Sequence, residues 1–316
     1  MRPGLKVAFI HGSLFLLTFL TTTFAGVQWL NKDPWELTNF GSGITYSVLI
    51  MVMLSSHEFG HYFAARHHGV RATLPYFLPF LSYFGIMPFG TLGAVIRIKS
   101  SIPSRKVLFD IGAAGPIAGF IVSLTILILG FSFLPPREYL YSIHPEYAQL
   151  NSIPEGGLVF GGTLLYSAVA HLFAPSNAFI PPMNEVYHYP FLCVGWFGLF
   201  VTAMNLIPVG QLDGGHISSA MFGQGYRRIA QVCLVALVLF GLAGFLPIFD
   251  IQFHYGWTGW LFWAFVLIMF MRRRGFQKPL PQDNSELDNL RMIIGWICIL
   301  IFIVSFSISP FTIEFR

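Results

Sequence analysis

Charge is scarce in this chain. Only 10% of its 316 residues are Asp, Glu, Lys or Arg, where a soluble domain carries about 25%. With 55% hydrophobic residues and 34 phenylalanines, this deficit excludes a freely soluble domain and indicates an integral membrane protein. Cysteine is rarer still. Cys193, Cys233 and Cys298 stand singly in apolar stretches without C-x-x-C spacing, so they read as small hydrophobes rather than a disulfide framework. Internal repeats, low-complexity tracts and a separate soluble domain are also missing. The net charge of +4 invites a nucleic-acid partner, but the basic residues sit at the ends of apolar segments, where membrane topology explains them. No nucleic-acid partner is expected.

Windows of about 20 apolar residues mark membrane helices, here over 7–28, 43–65, 108–133, 191–209, 229–248, 256–271 and 292–311. An eighth apolar stretch, 157–174, is short and glycine-rich and contains His171. It reads as a re-entrant or interfacial helix. With the N-terminus cytoplasmic and seven crossings, only Lys32, Arg137 and Arg316 of the 18 basic residues fall outside. That asymmetry supports the count and the orientation. The basic start leading to Thr23-Phe24-Ala25 has a signal-peptide look, but its apolar run exceeds the roughly 7–15 residues of such signals, so an uncleaved span is expected. In the long loop 66–107, Thr91 to Lys99 alternates apolar with basic residues, which predicts a strand or hairpin beside the membrane. Residues 276–290 are polar and read as a flexible connector.

Inside the second apolar run lies His57-Glu58-Phe59-Gly60-His61. On a helix, positions i and i+4 share a face, so both imidazoles can grip one cation with the carboxylate beside them. This is the H-E-x-x-H zinc-hydrolase pattern, in which the histidines hold the metal and the glutamate activates water. Ionisable groups at membrane depth are costly enough to mark function. A catalytic zinc takes a third protein ligand, and acidic residues in or near the spans are few: Glu58, Asp110, Asp213 and Asp250. Asp213 is the best candidate, since it follows the inner end of the fourth span and shares the depth of Glu58. The rival reading makes Asp213 a capping residue whose Asp-Gly ends a helix.

Asn205 is a candidate for binding substrate backbone or oxyanion, or else for satisfying the backbone freed by Pro208. Asp110 precedes the small-residue run Gly112-Ala113-Ala114-Gly115-Pro116. That run predicts a span packed closely between the metal-bearing helices, with Asp110 as an N-terminal helix charge. His216 could compete as a ligand. His67 and His68 sit at a basic interface, and His11, His144, His171, His188 and His254 lack a partner spacing. All of these take an ordinary structural reading.

The chain resembles the site-2 protease family of intramembrane zinc metalloproteases. It matches the first motif at His57, Glu58 and His61 and the second, N-x-x-P-x-x-x-L-D-G, at Asn205, Pro208, Leu212, Asp213 and Gly214. Gly115-Pro116 falls on the intervening span. The resemblance implies a three-helix catalytic core and one zinc per chain held by His57, His61 and Asp213. It also implies Glu58 as general base and cleavage of transmembrane substrates near the cytoplasmic face. No PDZ domain is expected within the core and no CBS domain after it, unlike in some relatives.

The expected fold is an all-α polytopic membrane protein. It has about seven transmembrane helices, the three-helix core, one re-entrant or interfacial helix and a small membrane-associated β-hairpin. Residues 1–42 form an N-terminal helix and loop, 43–225 the metalloprotease core, and 226–316 the C-terminal helices. The expected partners are a transmembrane protein substrate and the lipid bilayer, in a bacterial cytoplasmic membrane. The alternative is a membrane metal transporter or sensor that uses the same ligands without hydrolysis.

Overall fold

A computed structural model describes residues 3–81, 89–150, 152–249, 251, 255–274, 283 and 285–314. Asp250, His254 and most of the expected connector at 276–290 lie outside the described residues. Among the described residues ten helices dominate: α1 (Pro3–Trp29), α2 (Ile44–His67), α3 (Arg105–Ser132), α4 (Arg137–Ile143), α5 (Leu164–Phe173), α6 (Pro190–Leu206), α7 (Asp213–Phe222), α8 (Tyr226–Ala243), α9 (Gly259–Arg274) and α10 (Asn289–Ser305). Four helical stretches among the described residues are long and apolar enough to cross a membrane: Leu5–Trp29, Leu37–His67, Arg105–Ser132 and Asp213–Phe249. Segments Leu164–Phe173, Pro190–Leu206, Gly259–Met269 and Asn289–Ser305 are apolar but shorter.

Two small antiparallel sheets accompany the helices. Strand β1 (Tyr76–Pro79) pairs with β2 (Thr91–Val95), with Tyr76 opposite Val95. This hairpin occupies the place that the alternation at 91–99 predicts. Beyond β2 the pairing continues, as the Thr73 amide donates to the Arg97 carbonyl and the Lys99 amide to the Arg71 carbonyl. Strand β3 (Gly157–Phe160) pairs with β4 (Phe311–Glu314) in register Phe160 to Phe311.

That second sheet corrects two expectations. The stretch 157–174 is not one helix but β3, a Gly161-Gly162 break and the ten-residue α5, whose N-cap Thr163 accepts from the Tyr166 amide. Ten residues reach only about 15 Å, half of a hydrocarbon core. Likewise α10 ends at Ser305 rather than 311. The chain turns at Pro310 to make β4, and Phe311 enters an aromatic cluster with Phe160, Trp196 and Phe200.

Helices α2, α3 and α6 form the centre. Gly60 of α2 lies so near α3 that a Cβ there would stand 2.5 Å from the Ala114 carbonyl oxygen. Small residues thus set the interaxial distance, as expected in lipid, where close backbone approach replaces the hydrophobic drive between helices. Farther along, Trp196, Phe197 and Leu199 of α6 pack with Leu127 and Phe131 of α3, all buried.

The end of α3 that carries Arg105 is tied to α7. The Arg105 guanidinium donates from Nε to the Ala220 carbonyl (2.5 Å) and from Nη2 to the Met221 carbonyl (3.2 Å). These are among the last carbonyls of α7, which have no partner inside the helix, and a cation suits them. Replacing Arg105 with alanine should cost about 1–3 kcal/mol, seen as a lower Tm in detergent. An unchanged Tm would mean that the cap is not holding α7. On the neighbouring surface Asp110 accepts from Arg291 Nη2 at 2.7 Å and faces His68 Nε2 at 2.8 Å. Asp110 therefore ties α3 to α10 through its ion pair with Arg291 and to His68, just past α2, through a close polar contact, which explains its charge without a metal.

Candidate metal centre

His57 and His61 are one helical turn apart on α2 and both are buried, at 5% and 7% exposure. Asp213 opens α7, seven residues after α6 ends at Leu206. The intervening turn folds back tightly: a Cβ at Gly214 would lie 2.0 Å from the Leu206 carbonyl oxygen. Only glycine after Asp213 admits that approach, and the approach brings the carboxylate to α2.

Three atoms then converge. His57 Nε2 and His61 Nε2 are 3.2 Å apart. Asp213 Oδ2 lies 3.4 Å from the first and 3.3 Å from the second. These separations are long for direct hydrogen bonds, whose usual N···O distance is about 2.9 Å. They match the edge of a tetrahedron with bonds of about 2.0–2.1 Å, which is about 3.3 Å. The tautomer fits as well. His61 Nδ1 donates to the Ile111 carbonyl at 2.7 Å, which leaves the Nε2 lone pair pointing at the other two atoms, the usual support for a metal-bound imidazole. Two nitrogens and one carboxylate oxygen form a donor set suited to zinc.

Helix α3 supplies the floor. A Cβ at Gly115 would stand 2.1 Å from His61 Nε2, and one at Gly119 would stand 3.1 Å from His57 Nδ1. The glycines therefore give the imidazoles their room. Gly112 similarly faces the Cβ of His216, at 2.9 Å from its own added Cβ. His216 lines the same cavity but is not a member of the converging group.

Glu58 is buried, and it too stands outside the converging triad. It opens on a cavity of about 280 Å³ lined also by Asn205, Gln211 and the hairpin residues Ala94, Val95 and Ile96. Arg97 and Lys99 direct backbone groups to 71–73. Alternation turns the Ile96 amide the other way, and there it faces the Glu58 carboxylate. Among the described residues the Asn205 side chain makes no hydrogen bond to the backbone near Pro208, so nothing in the structure favours the local structural role considered for it.

The motif residues His57, Glu58, His61, Asn205 and Asp213 thus share one cavity. Sequence reasoning missed the Ile111 carbonyl and the Ile96 amide, which are backbone groups without a sequence signature. It also missed a second convergent group, His144, Glu185 and His188. The spacing Glu185-x-x-His188 was the available signal.

Comparison with known proteins bears on the same region. The model of peptidase family M50 matches residues 45–246. A chloroplastic rice protein (Oryza sativa subsp. indica) described as "Probable zinc metalloprotease EGY2" is 30% identical over 262 residues, 82% of this chain and 41% of its own length. Two chloroplastic Arabidopsis thaliana proteins are similar. One, described as a probable zinc metalloprotease EGY2, is 25% identical over 91% of this chain and 46% of its own length. The other, described as EGY1, is 29% identical over 83% and 42%. The chain spans less than half the length of these curated relatives. Their chloroplastic location lends no support to the bacterial membrane expected from the sequence. The chain belongs to peptidase family M50.

Proposed function

We propose that this protein is an intramembrane zinc metalloprotease whose catalytic core is residues 43–225. The observation that carries the reading is the convergence of His57 Nε2, His61 Nε2 and Asp213 Oδ2 at 3.2–3.4 Å beside a buried, non-ligating Glu58. One zinc ion held by these three side chains would supply a Lewis acid for the scissile carbonyl and lower the pKa of water. The chain's own groups do the rest. Glu58 accepts a proton from the attacking water and returns it to the leaving amide nitrogen. Asn205, on the cavity wall, donates to the substrate carbonyl or backbone. Seven crossings, with the cavity near the face that carries the basic loops, agree with the charge asymmetry.

A transmembrane substrate enters as a helix whose carbonyls are occupied, so it must be held extended to be cut. The edge of β2 that looks into the cavity supports strand addition, with main-chain bonds to the 94–96 segment. Ala94→Pro removes the other amide that alternation turns towards the cavity and leaves the Ile96 amide on Glu58. Turnover of a transmembrane reporter substrate should fall by about tenfold or more, the loss of one or two main-chain hydrogen bonds in a dry site, while zinc content holds. Unchanged turnover would count against strand addition.

Metal transport by the same ligands is the competing possibility. The ligands gather at one depth, and Glu58 adds a carboxylate outside the triad, which suits hydrolysis better. Zinc flux into proteoliposomes at the same rate for wild type and Glu58→Gln, without reporter cleavage by either, would favour transport.

A further inference from the structure

The second convergent group stands on the other side of the molecule. His188 immediately precedes the first turn of α6, whereas the Asp213 turn follows its last. A 17-residue helix is about 25 Å long, and it separates the two clusters. Its buried face between them is mostly apolar, with Leu192, Trp196, Phe197 and Leu199, and carries the lone thiol of Cys193.

His188 Nε2 lies 3.0 Å from His144 Nε2 and 3.3 Å from Glu185 Oε2, and His144 Nε2 lies 3.9 Å from that oxygen. The other nitrogen of each ring is engaged. His188 Nδ1 contacts the Trp29 carbonyl at 2.5 Å, and His144 Nδ1 contacts Glu146 Oε1 at 3.1 Å. Carbonyl and carboxylate oxygens can only accept, so both rings carry their proton on Nδ1. With both rings neutral, two Nε2 lone pairs and the Glu185 carboxylate oxygen converge; a proton would serve one pair of these atoms, whereas a metal ion serves all three.

Glu185 adds an independent observation. It is 2% exposed, and its Oε2 is a buried atom without a hydrogen-bond partner. Its other oxygen accepts from the Tyr147 hydroxyl at 3.1 Å and Asn184 Nδ2 at 3.4 Å. An orphaned carboxylate oxygen at this depth is costly, and here it points at two imidazole lone pairs. The edges of 3.0, 3.3 and 3.9 Å bracket the roughly 3.3 Å of a tetrahedral zinc site.

We propose that His144, Glu185 and His188 bind a second divalent transition-metal ion, with zinc the natural occupant of two imidazoles and a carboxylate. The site is closed. His188 and Glu185 are buried, and Tyr147 stacks on the His144 ring at 4.5 Å and 11°. Among the described residues, the carboxylate nearest the ligands is Glu146, and it already faces His144. The ion is therefore structural: it fastens the 137–149 segment and the 184–188 turn to the C-terminal end of α1 at Trp29, and so fixes where α6 begins. The Tyr139 hydroxyl reinforces the same joint by donating to the His188 carbonyl at 2.8 Å. Burial pushes that hydroxyl up to about 12, which keeps the donor protonated.

The test counts zinc in the full chain purified in detergent and dialysed against a weak chelator. Wild type should hold about two ions per chain. His144→Asn, which changes the most exposed ligand, and Glu185→Gln should each hold about one. In a His57→Ala/His61→Ala background the remaining ion should raise the Tm on zinc addition, and Glu185→Gln should abolish that rise. His144→Asn leaves the Trp29 contact intact, so it keeps the test usable if Glu185→Gln fails to fold. A His57→Ala/His61→Ala variant that holds no ion, or a count of two unchanged in either folded variant, would overturn the second site. The double alanine variant distinguishes this from failure of the first site, because each triad is counted without the other.

Discussion

Replacing Glu58 with glutamine is expected to lower turnover by about 10²–10⁴-fold, the usual contribution of a general base, while zinc content stays at its wild-type value. Glutamine has the same shape and can still accept from the Ile96 amide, but it takes up no proton. Glu58 lies outside the converging ligand atoms, so its loss should not disturb His57, His61 or Asp213. The measurement is cleavage of a reconstituted transmembrane reporter alongside metal analysis. A variant that cleaves at the wild-type rate would remove Glu58 from the chemistry. One that loses zinc as well as activity would make it a ligand instead.

The second large effect comes from a single methyl group. Gly115→Ala puts a carbon 2.1 Å from the place His61 Nε2 occupies, well inside contact distance. The imidazole must leave, or α3 must move away from α2. Overpacking of this kind costs about 1–3 kcal/mol, which a multi-helix core can absorb, so the protein should still fold. What it loses is coordination: the first zinc should disappear and activity with it. Gly119→Ala is the internal comparison. Its methyl would meet His57 Nδ1 at 3.1 Å, a contact relieved by a shift of a few tenths of an ångström, so zinc should be retained with reduced turnover. If Gly115→Ala and Gly119→Ala behave alike, the α3 surface is not what positions the histidines.

These residues also mark how far the sequence could be read. The pair at His57 and His61 was legible because both imidazoles lie on one helix, where spacing alone defines a face. Asp213 is about 150 residues away, and nothing local announces the fold-back at Gly214. It was found through the Asn205–Gly214 motif and the need for a third ligand. Most helix positions followed from apolar windows, since the bilayer imposes length and composition together. The misread segments are those settled by distant pairing. Residues 157–160 look like any apolar stretch, and only β4, some 150 residues later, makes them a strand. A short apolar run does not distinguish the two outcomes. His144 and His188 seemed unconnected for the same reason. They are joined where the 137–149 segment meets the 184–188 turn, beside Trp29, which no periodicity encodes.

The most direct test of the first site is anomalous diffraction at the zinc edge from crystals of the full chain. A peak within about 2.0–2.2 Å of His57 Nε2, His61 Nε2 and an Asp213 carboxylate oxygen is the expected result. Zinc-replete crystals with no peak among these three atoms, and with the Asp213 side chain turned away from α2, would contradict it.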